Sequence, residues 1–461
     1  MLATEGEKLH ITGSMAYAFY ACDYLSELDL NMINVEGATS LTGVFEYCRL
    51  LYHLDLTGWK VTSKCTALNG LFHECRVLRF DDIPLETWDI SNVTTLSGMF
   101  NTCYNLKKVD MSAWNPAKVT TMNSMFNYCR NLESVVMPLN PAPKLTDTTS
   151  LFYQCTNLSG ELDLSSLDPD CIVTCSSMFN TCVHLEKINL GDMKVVTNTT
   201  STNSGVVNMF SACYSLKEIV WDMSRCDFTK GASVNGFYSN CYNLQTPLDW
   251  SFFHGLEYAT SFTPWGNCYK VPSITLSDDI SFPKLTSLAS TFSGCHSLKK
   301  IDISGMSFST PITRLDSMFS NCRCLEEVIL PEIDTSRVTT MASMFNGCYR
   351  LKKVPDALKS CDMTSCTTVA SMFTEAMSLE EADLSRWTNM RPAAVTYIFS
   401  GCICLQRINV SGWDTTALSG GQSGPFSGIV YNYLNQSGWT ASLTALIPDC
   451  SVLVEWYPPA I

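Results

Sequence analysis

Apolar side chains recur along this chain in one fixed order, Phe-x-x-Cys-x-x-Leu, and aligning on that order brings most of the chain into register. The motif runs unchanged from Phe19/Cys22/Leu25 through Phe100/Cys103/Leu106 to Phe210/Cys213/Leu216. It continues with substitutions as Tyr238/Cys241/Leu244, Trp265/Cys268/Val271 and Phe373/Ala376/Leu379, and closes at Phe399/Cys402/Leu405. Fifteen copies result, spaced 26 to 28 residues apart except for one interval of 31.

Within a unit the apolar period changes, and the change predicts two kinds of element. Leu96, Met99, Phe100 and Cys103 fall at i, i+3, i+4 and i+7, as do Met122, Met125, Phe126 and Cys129, which is one face of a short helix. After the Leu the period becomes two, as in Leu28/Leu30, Val109/Met111 and Ile301/Ile303, which is a short strand with one buried face. A helix, a turn and a strand form one unit. No such unit buries its apolar side alone, so neighbours must stack and pair their strands in a parallel sheet. The expected organisation is a short lead over 1–13, a solenoid over 14–418 and decaying repeats over 419–461. The last stretch, with Phe426 and a weak Ile447/Cys450/Leu453 echo, would cover the open end of the core.

The run MFNTCYNLKKVDMSAW (99–114), preceded by WDISNVTTL (88–96), resembles the bacterial surface protein 26-residue repeat, a BspA-like class of leucine-rich repeat. IDTSRVTTMASMF (333–345) and VSGWDTTAL (410–418) are further copies of its connector. The resemblance implies a right-handed α/β solenoid of about fifteen helix-turn-strand coils and a role in adhesion or recognition at a bacterial surface. It carries over no binding partner. Ala376, Tyr238, Trp265 and the 31-residue interval depart from the pattern without threatening the fold.

Composition narrows the function. With 46% apolar and 16% charged residues the chain has material for a large core. A formal charge of −14, without clustered Lys and Arg, argues against nucleic acid as a partner. No apolar run reaches the roughly 20 residues of a membrane span, so membrane insertion is not expected. The start, MLATEGEKLHITG, lacks the basic and apolar stretches of a secretory signal.

Fourteen of the 23 cysteines recur at the motif position, and each of these lies on the apolar face, where a small hydrophobe packs well. Buried thiols are therefore expected in preference to disulfides or zinc, since neither Cys322/Cys324 and Cys402/Cys404 nor Cys171/Cys175 has paired CxxC spacing. Six scattered histidines, and the lack of a nucleophile elbow, P-loop or dinucleotide fingerprint, predict no enzyme, no metal and no cofactor. A secreted hydrolase would need a carboxylate cluster in a cleft that spacing does not reveal.

Binding candidates lie at the residue between the two buried strand positions, which must face outward. There stand Asp29, Asp55, Asp110, Asp163, Asp302 and Asp383, with Asp249 after a one-residue shift and Asn189 and Asn409 as neutral versions. Stacked carboxylates repel, so each must accept local hydrogen bonds, for example from Ser112, Ser165, Ser304 or Ser385, or else serve a basic or cation-bridged ligand. Trp59, Trp114, Trp387 and Trp413, with Trp88 near the same phase, are either packing at coil corners or platforms for sugars. The polar insertion VVTNTTSTNSG (195–205) is either a contact site or a neutral loop. Together these features predict a non-enzymatic recognition protein, on a bacterial surface or secreted, that binds a host protein or glycan. The alternative is a phage fibre or decoration protein on a virion surface, assembled in the cytoplasm.

Overall fold

A computed structural model describes residues 8–197, 205–231, 233–387, 395–409 and the strand 454–455. Two compact units emerge, Met1–Phe228 with Gly236–Leu244, and Thr229–Asn235 with Gln245–Ile461. The first carries the coils from Phe19 to Tyr238 and the second those from Trp265 to Phe399.

In both units strand pairs with strand in parallel, one coil apart. Glu27–Asp29 pairs with His53–Asp55, Lys108–Asp110 with Ser134–Val136, and Lys300–Asp302 with Glu327–Ile329. Most strands are three residues long, so the expected parallel sheet is present as a series of short ladders. The first strand, Leu9–Ser14, pairs with Ile33–Ser40 and so begins inside the stretch read as a lead. Val454–Glu455 pairs antiparallel with Arg407–Asn409; the other residues of 410–461 lie outside the described residues.

The helix expected at the Phe motif is absent, which corrects the α/β assignment: the described residues form no α-helix, only four short 3-10 turns. An α-helix spends every interior N–H inside its own segment, and here alternate N–H groups leave it. The N–H groups of Gly43, Phe45 and Tyr47 donate to the carbonyls of Asn69, Leu71 and His73 in the next coil, at 2.9, 3.0 and 2.8 Å. The intervening N–H groups of Glu46 and Cys48 bond three residues back, to Gly43 and Phe45, both at 3.1 Å. Positive φ at Gly43 (57°) and Tyr47 (63°) turns the backbone so that the two sets can alternate. The same pair of left-handed residues, two before and two after the Phe, recurs as Ser124/Tyr128, Ser150/Gln154 and Ser317/Asn321. The apolar spacing identified the buried side chains and not the backbone that presents them: Leu96, Met99, Phe100 and Cys103 are all fully buried.

The Phe rings stack coil upon coil, with centroids 5.4 Å apart for Phe100/Phe126 and 5.3 Å for Phe292/Phe319. The cysteine beside most of these rings supplies a further inter-coil link. Cys103 Sγ donates to the Phe72 carbonyl at 3.1 Å, Cys129 to Phe100 at 3.0 Å and Cys348 to Phe319 at 3.1 Å. A thiol fits because it is small enough for the core and still offers a donor to a carbonyl. Every described cysteine is a free thiol, and burial pushes Cys48 up to about 11 and Cys213 up to about 12.

A further ladder follows the Val-Thr-Thr connector. Thr95, Thr121 and Asp147 bridge in parallel from coil to coil, and beside them exposed Thr hydroxyls donate backwards, Thr94 to Thr66, Thr120 to Thr94 and Thr146 to Thr120. Thr313 and Thr339 repeat this in the second unit. Within each unit, neighbouring coils are thus tied along several edges of their cross-section.

Candidate recognition surface

Lys108-Val109-Asp110 and Lys300-Ile301-Asp302 expose their first and third side chains and bury the second, whereas Leu248–Trp250 and Ile280–Phe282 bury the first and third and expose the second. Of the predicted aspartates, Asp29, Asp55, Asp110, Asp302 and Asp383 occupy the third place, Asp163 ends a four-residue strand, and Asp249 is the exposed middle residue of Leu248–Trp250, between two buried side chains. Each carboxylate closes a tight turn by accepting the N–H two residues on. The distances are 3.0 Å for Asp29 from Asn31, 2.9 Å for Asp55 from Thr57 and 2.9 Å for Asp110 from Ser112. Asp163 and Asp302 also accept the hydroxyls of Ser165 and Ser304, both at 2.7 Å, while Asp249 and Asp383 cap Ser251 and Ser385. Hydrogen bonds from the hydroxyl and N–H of Ser112 hold the Asp110 carboxyl below the usual range, and Thr57 does the same for Asp55.

The acidic stacking expected on this face occurs at Asp29 opposite Asp55; elsewhere the Asp faces a neutral partner, with Asp110 opposite Val136, Asp163 opposite Asn189, Asp249 opposite Thr275, Asp302 opposite Ile329 and Asp383 opposite Asn409. Charge alternates instead two residues before the aspartate position. Lys187 lies between Glu161 and Glu218, at 3.4 and 3.9 Å, Lys300 meets Glu327 at 3.1 Å, and Arg407 meets Glu381 at 2.8 Å. Near the last described coils Lys353, Lys359, Glu381, Asp383, Arg407 and Asn409 line a shallow groove of about 300 Å3.

The tryptophans resolve as packing. Trp59, Trp114 and Trp387 are fully buried, and their indole N–H groups donate to the carbonyls of Leu30, Leu85 and Leu358 in the preceding coil. Trp88 is buried too, and Trp413 lies outside the described residues, as do residues 198–204 of the polar insertion. The connector aspartates Asp89, Asp334 and Asp362 repeat the turn-closing bond onto Ser91, Ser336 and Thr364, which accounts for the Asp-x-Ser spacing of that motif.

A row that pattern reading missed lies four residues after each Phe. There Tyr214 stacks on Tyr242 at 5.0 Å, Tyr269 stacks on His296 at 4.1 Å, and Tyr104 lies under Arg76 and Arg130. The signal was present as Tyr, His or Arg at one phase, but aromatic residues outside the core period carry no burial pattern that singles them out. Among the described residues no three His, Cys, Asp or Glu side chains converge as a metal site requires. No helix there is long and apolar enough to cross a membrane.

A family model described as "Mycoplasma protein of unknown function, DUF285" matches residues 13–138, 141–252 and 286–419. The chain belongs to the DUF285 family. The BspA-like leucine-rich-repeat character of its motifs agrees with that membership. No curated protein matches the chain at a comparable level. Among solved structures, a leucine rich cell surface protein from Faecalibacterium prausnitzii A2-165 is similar at 18% identity over 93% of this chain and 88% of its own, with a TM-score of 0.31. A leucine-rich repeat protein from Bacteroides ovatus is 16% identical over 80% and 92% of the two chains, with a TM-score of 0.39. For one from Eubacterium ventriosum the figures are 14%, 83%, 90% and 0.34. In this DUF285 chain, then, the repeated connector, the buried motif thiols and the buried tryptophans Trp59, Trp114 and Trp387 serve the scaffold.

Proposed function

We propose that this DUF285 chain is a non-enzymatic recognition protein at a bacterial surface, or secreted from it, that binds a host protein or glycan through its repeat scaffold. The observation that supports this is the way outward side chains are held. Within each unit backbone ladders on several edges hold neighbouring coils together, so exposed groups are anchored at fixed spacing and little backbone ordering is lost when a ligand arrives. The strand-face aspartates, Asp29, Asp55, Asp110, Asp163, Asp249, Asp302 and Asp383, are the proposed contacts for a basic or cation-bridged ligand. Each spends one carboxylate oxygen on its own turn, and at Asp55 the other accepts from the Asn31 amide of the preceding coil at 3.4 Å.

The test is binding of the labelled protein to immobilised mucin and extracellular-matrix proteins, with and without the paired substitutions Asp110→Asn and Asp302→Asn. The amide keeps the acceptor that closes the turn and removes the charge. Saturable binding that weakens in the double variant supports both the function and the face. Unweakened binding moves the contact to another face, and no saturable binding to any host component rejects the function.

A further inference from the structure

The Phe segment gives each coil a directional edge. The N–H groups of Gly43, Phe45 and Tyr47 all point to the next coil, and the carbonyls that receive them, on Asn69, Leu71 and His73, all point back. The first described coil therefore ends the array with the carbonyls of Ala16, Ala18 and Tyr20, none of which accepts a hydrogen bond among the described residues. The last ends it with the N–H groups of Tyr397, Phe399 and Gly401, which find no acceptor there. Both end coils keep the turned geometry, with left-handed φ at Tyr17 (59°) and Ala21 (54°), and at Tyr397 (57°) and Gly401 (76°). An extended strand matches neither edge, because N–H and C=O groups alternate along it. A coil of this same repeat matches both.

The side chains of the two ends are complementary as well. At the head, Phe19, Leu25 and Leu28 are half-buried, whereas their counterparts Phe45, Leu51 and Leu54 in the next coil are fully buried, and Tyr17, Tyr20 and Tyr24 stand exposed around them. At the tail, Ile408 is half-buried where Ala382 one coil earlier is buried. Charge agrees: Glu27 and Arg407 hold the same place in their strands, and Arg407 already faces Glu381 at 2.8 Å on one side. A Glu27 on its other side would repeat the arrangement of Lys187 between Glu161 and Glu218. Phe399 is buried and Val454–Glu455 pairs with Arg407–Asn409, so docking at the tail exchanges one cover for another. The exchange gives acceptors to three N–H groups that have none among the described residues, and an unmet donor is costly when water is excluded.

We propose that the last coil of one copy docks on the first coil of a second copy, head to tail. The N–H groups of Tyr397, Phe399 and Gly401 then donate to the carbonyls of Ala16, Ala18 and Tyr20, and Arg407 meets Glu27 of the neighbouring copy. Such a contact joins two different surfaces, so it repeats from copy to copy. A head-to-head pair would set carbonyl against carbonyl and bury acceptors with no donor. A string of copies presents the same outward faces many times, which raises the avidity of any weak contact they make. The docking does not depend on the recognition reading above.

The test is sedimentation velocity of the full chain over about a hundredfold range of concentration. The unaltered protein should shift from monomer to dimer and longer species as concentration rises. Glu27→Arg and Arg407→Glu, each alone, should weaken association by about tenfold or more at an unchanged melting temperature, since each sets like charges together at the joint. An equimolar mixture of the two should associate again, because every reversed end then finds an opposite charge on the other variant. Arg407→Gln serves as the tail variant if Arg407→Glu folds poorly, and it should weaken association in the same direction. A monomer at every concentration, association untouched by the tail variants, or a mixture no more associated than its parts each overturns the docking. Binding to mucin or matrix by a chain that stays monomeric leaves the recognition function standing without it.

Discussion

The side chain that links most coils is cysteine, and its chemistry is suppressed by the position that makes it useful. Cys103 donates to the Phe72 carbonyl from a fully buried site, and burial holds the ladder thiols protonated, with Cys48 at about 11 and Cys213 at about 12. Alkylation of the native protein with iodoacetamide at pH 8, followed by peptide mass spectrometry, should label exposed Cys404 first and leave the ladder cysteines unmodified until unfolding. Equal labelling rates would disprove the ladder. At the left-handed positions the residue choice has a cost that can be reversed. Ser124 sits at φ 55°, where glycine carries no Cβ penalty, so Ser124→Gly should stabilise by about 0.5–1 kcal/mol and Ser124→Val should destabilise by more. Paired urea melts of the two variants would check the sign.

At the scale of the element, the tight turns that follow the strands and connectors depend on ionised aspartate. Asp55, Asp110, Asp334, Asp362 and Asp383 all have carboxyls held below the usual value, chiefly by side-chain hydrogen bonds from the residue two ahead. A carboxyl depressed in the folded state stabilises fully above its unfolded value near 3.9 and loses that contribution as pH falls through the folded value. The melting temperature should therefore be flat above about pH 5 and fall progressively below about pH 4; a melt series that stayed flat to pH 3 would remove these turns as a source of stability. The strand pattern was legible in the sequence because burial of every second residue leaves period two on the chain. The motif segment was misread as helix because two successive turns with left-handed residues between them bury the same i, i+3, i+4 and i+7 positions.

Across the molecule, each coil contacts its neighbours and little else, so damage should stay local. Leu298→Ala removes a fully buried side chain and should cost about 2–5 kcal/mol. Hydrogen exchange in that variant should rise most in the coils of Trp265, Phe292 and Phe319, fading with distance along the array. Uniform loss of protection from Phe19 to Phe399 would contradict nearest-neighbour stacking.

The one-dimensional pattern determined the number of coils, their register, which faces are buried and the free state of the thiols, because stacking identical units makes the period of burial the period of the fold. It also foresaw that the aspartates would need local donors, since the Ser or Thr two residues on is visible in the chain. Only the tertiary structure decided whether a backbone N–H stays in its own coil or crosses to the next, and that choice separates a helix from the turned ladder found here. Only stacking, too, showed which outward groups become neighbours. Asp29 meets Asp55 but Asp110 meets Val136, and Arg323 comes to rest beside His296 and Tyr349, because lateral contacts join residues a whole coil apart that the sequence lists far from one another.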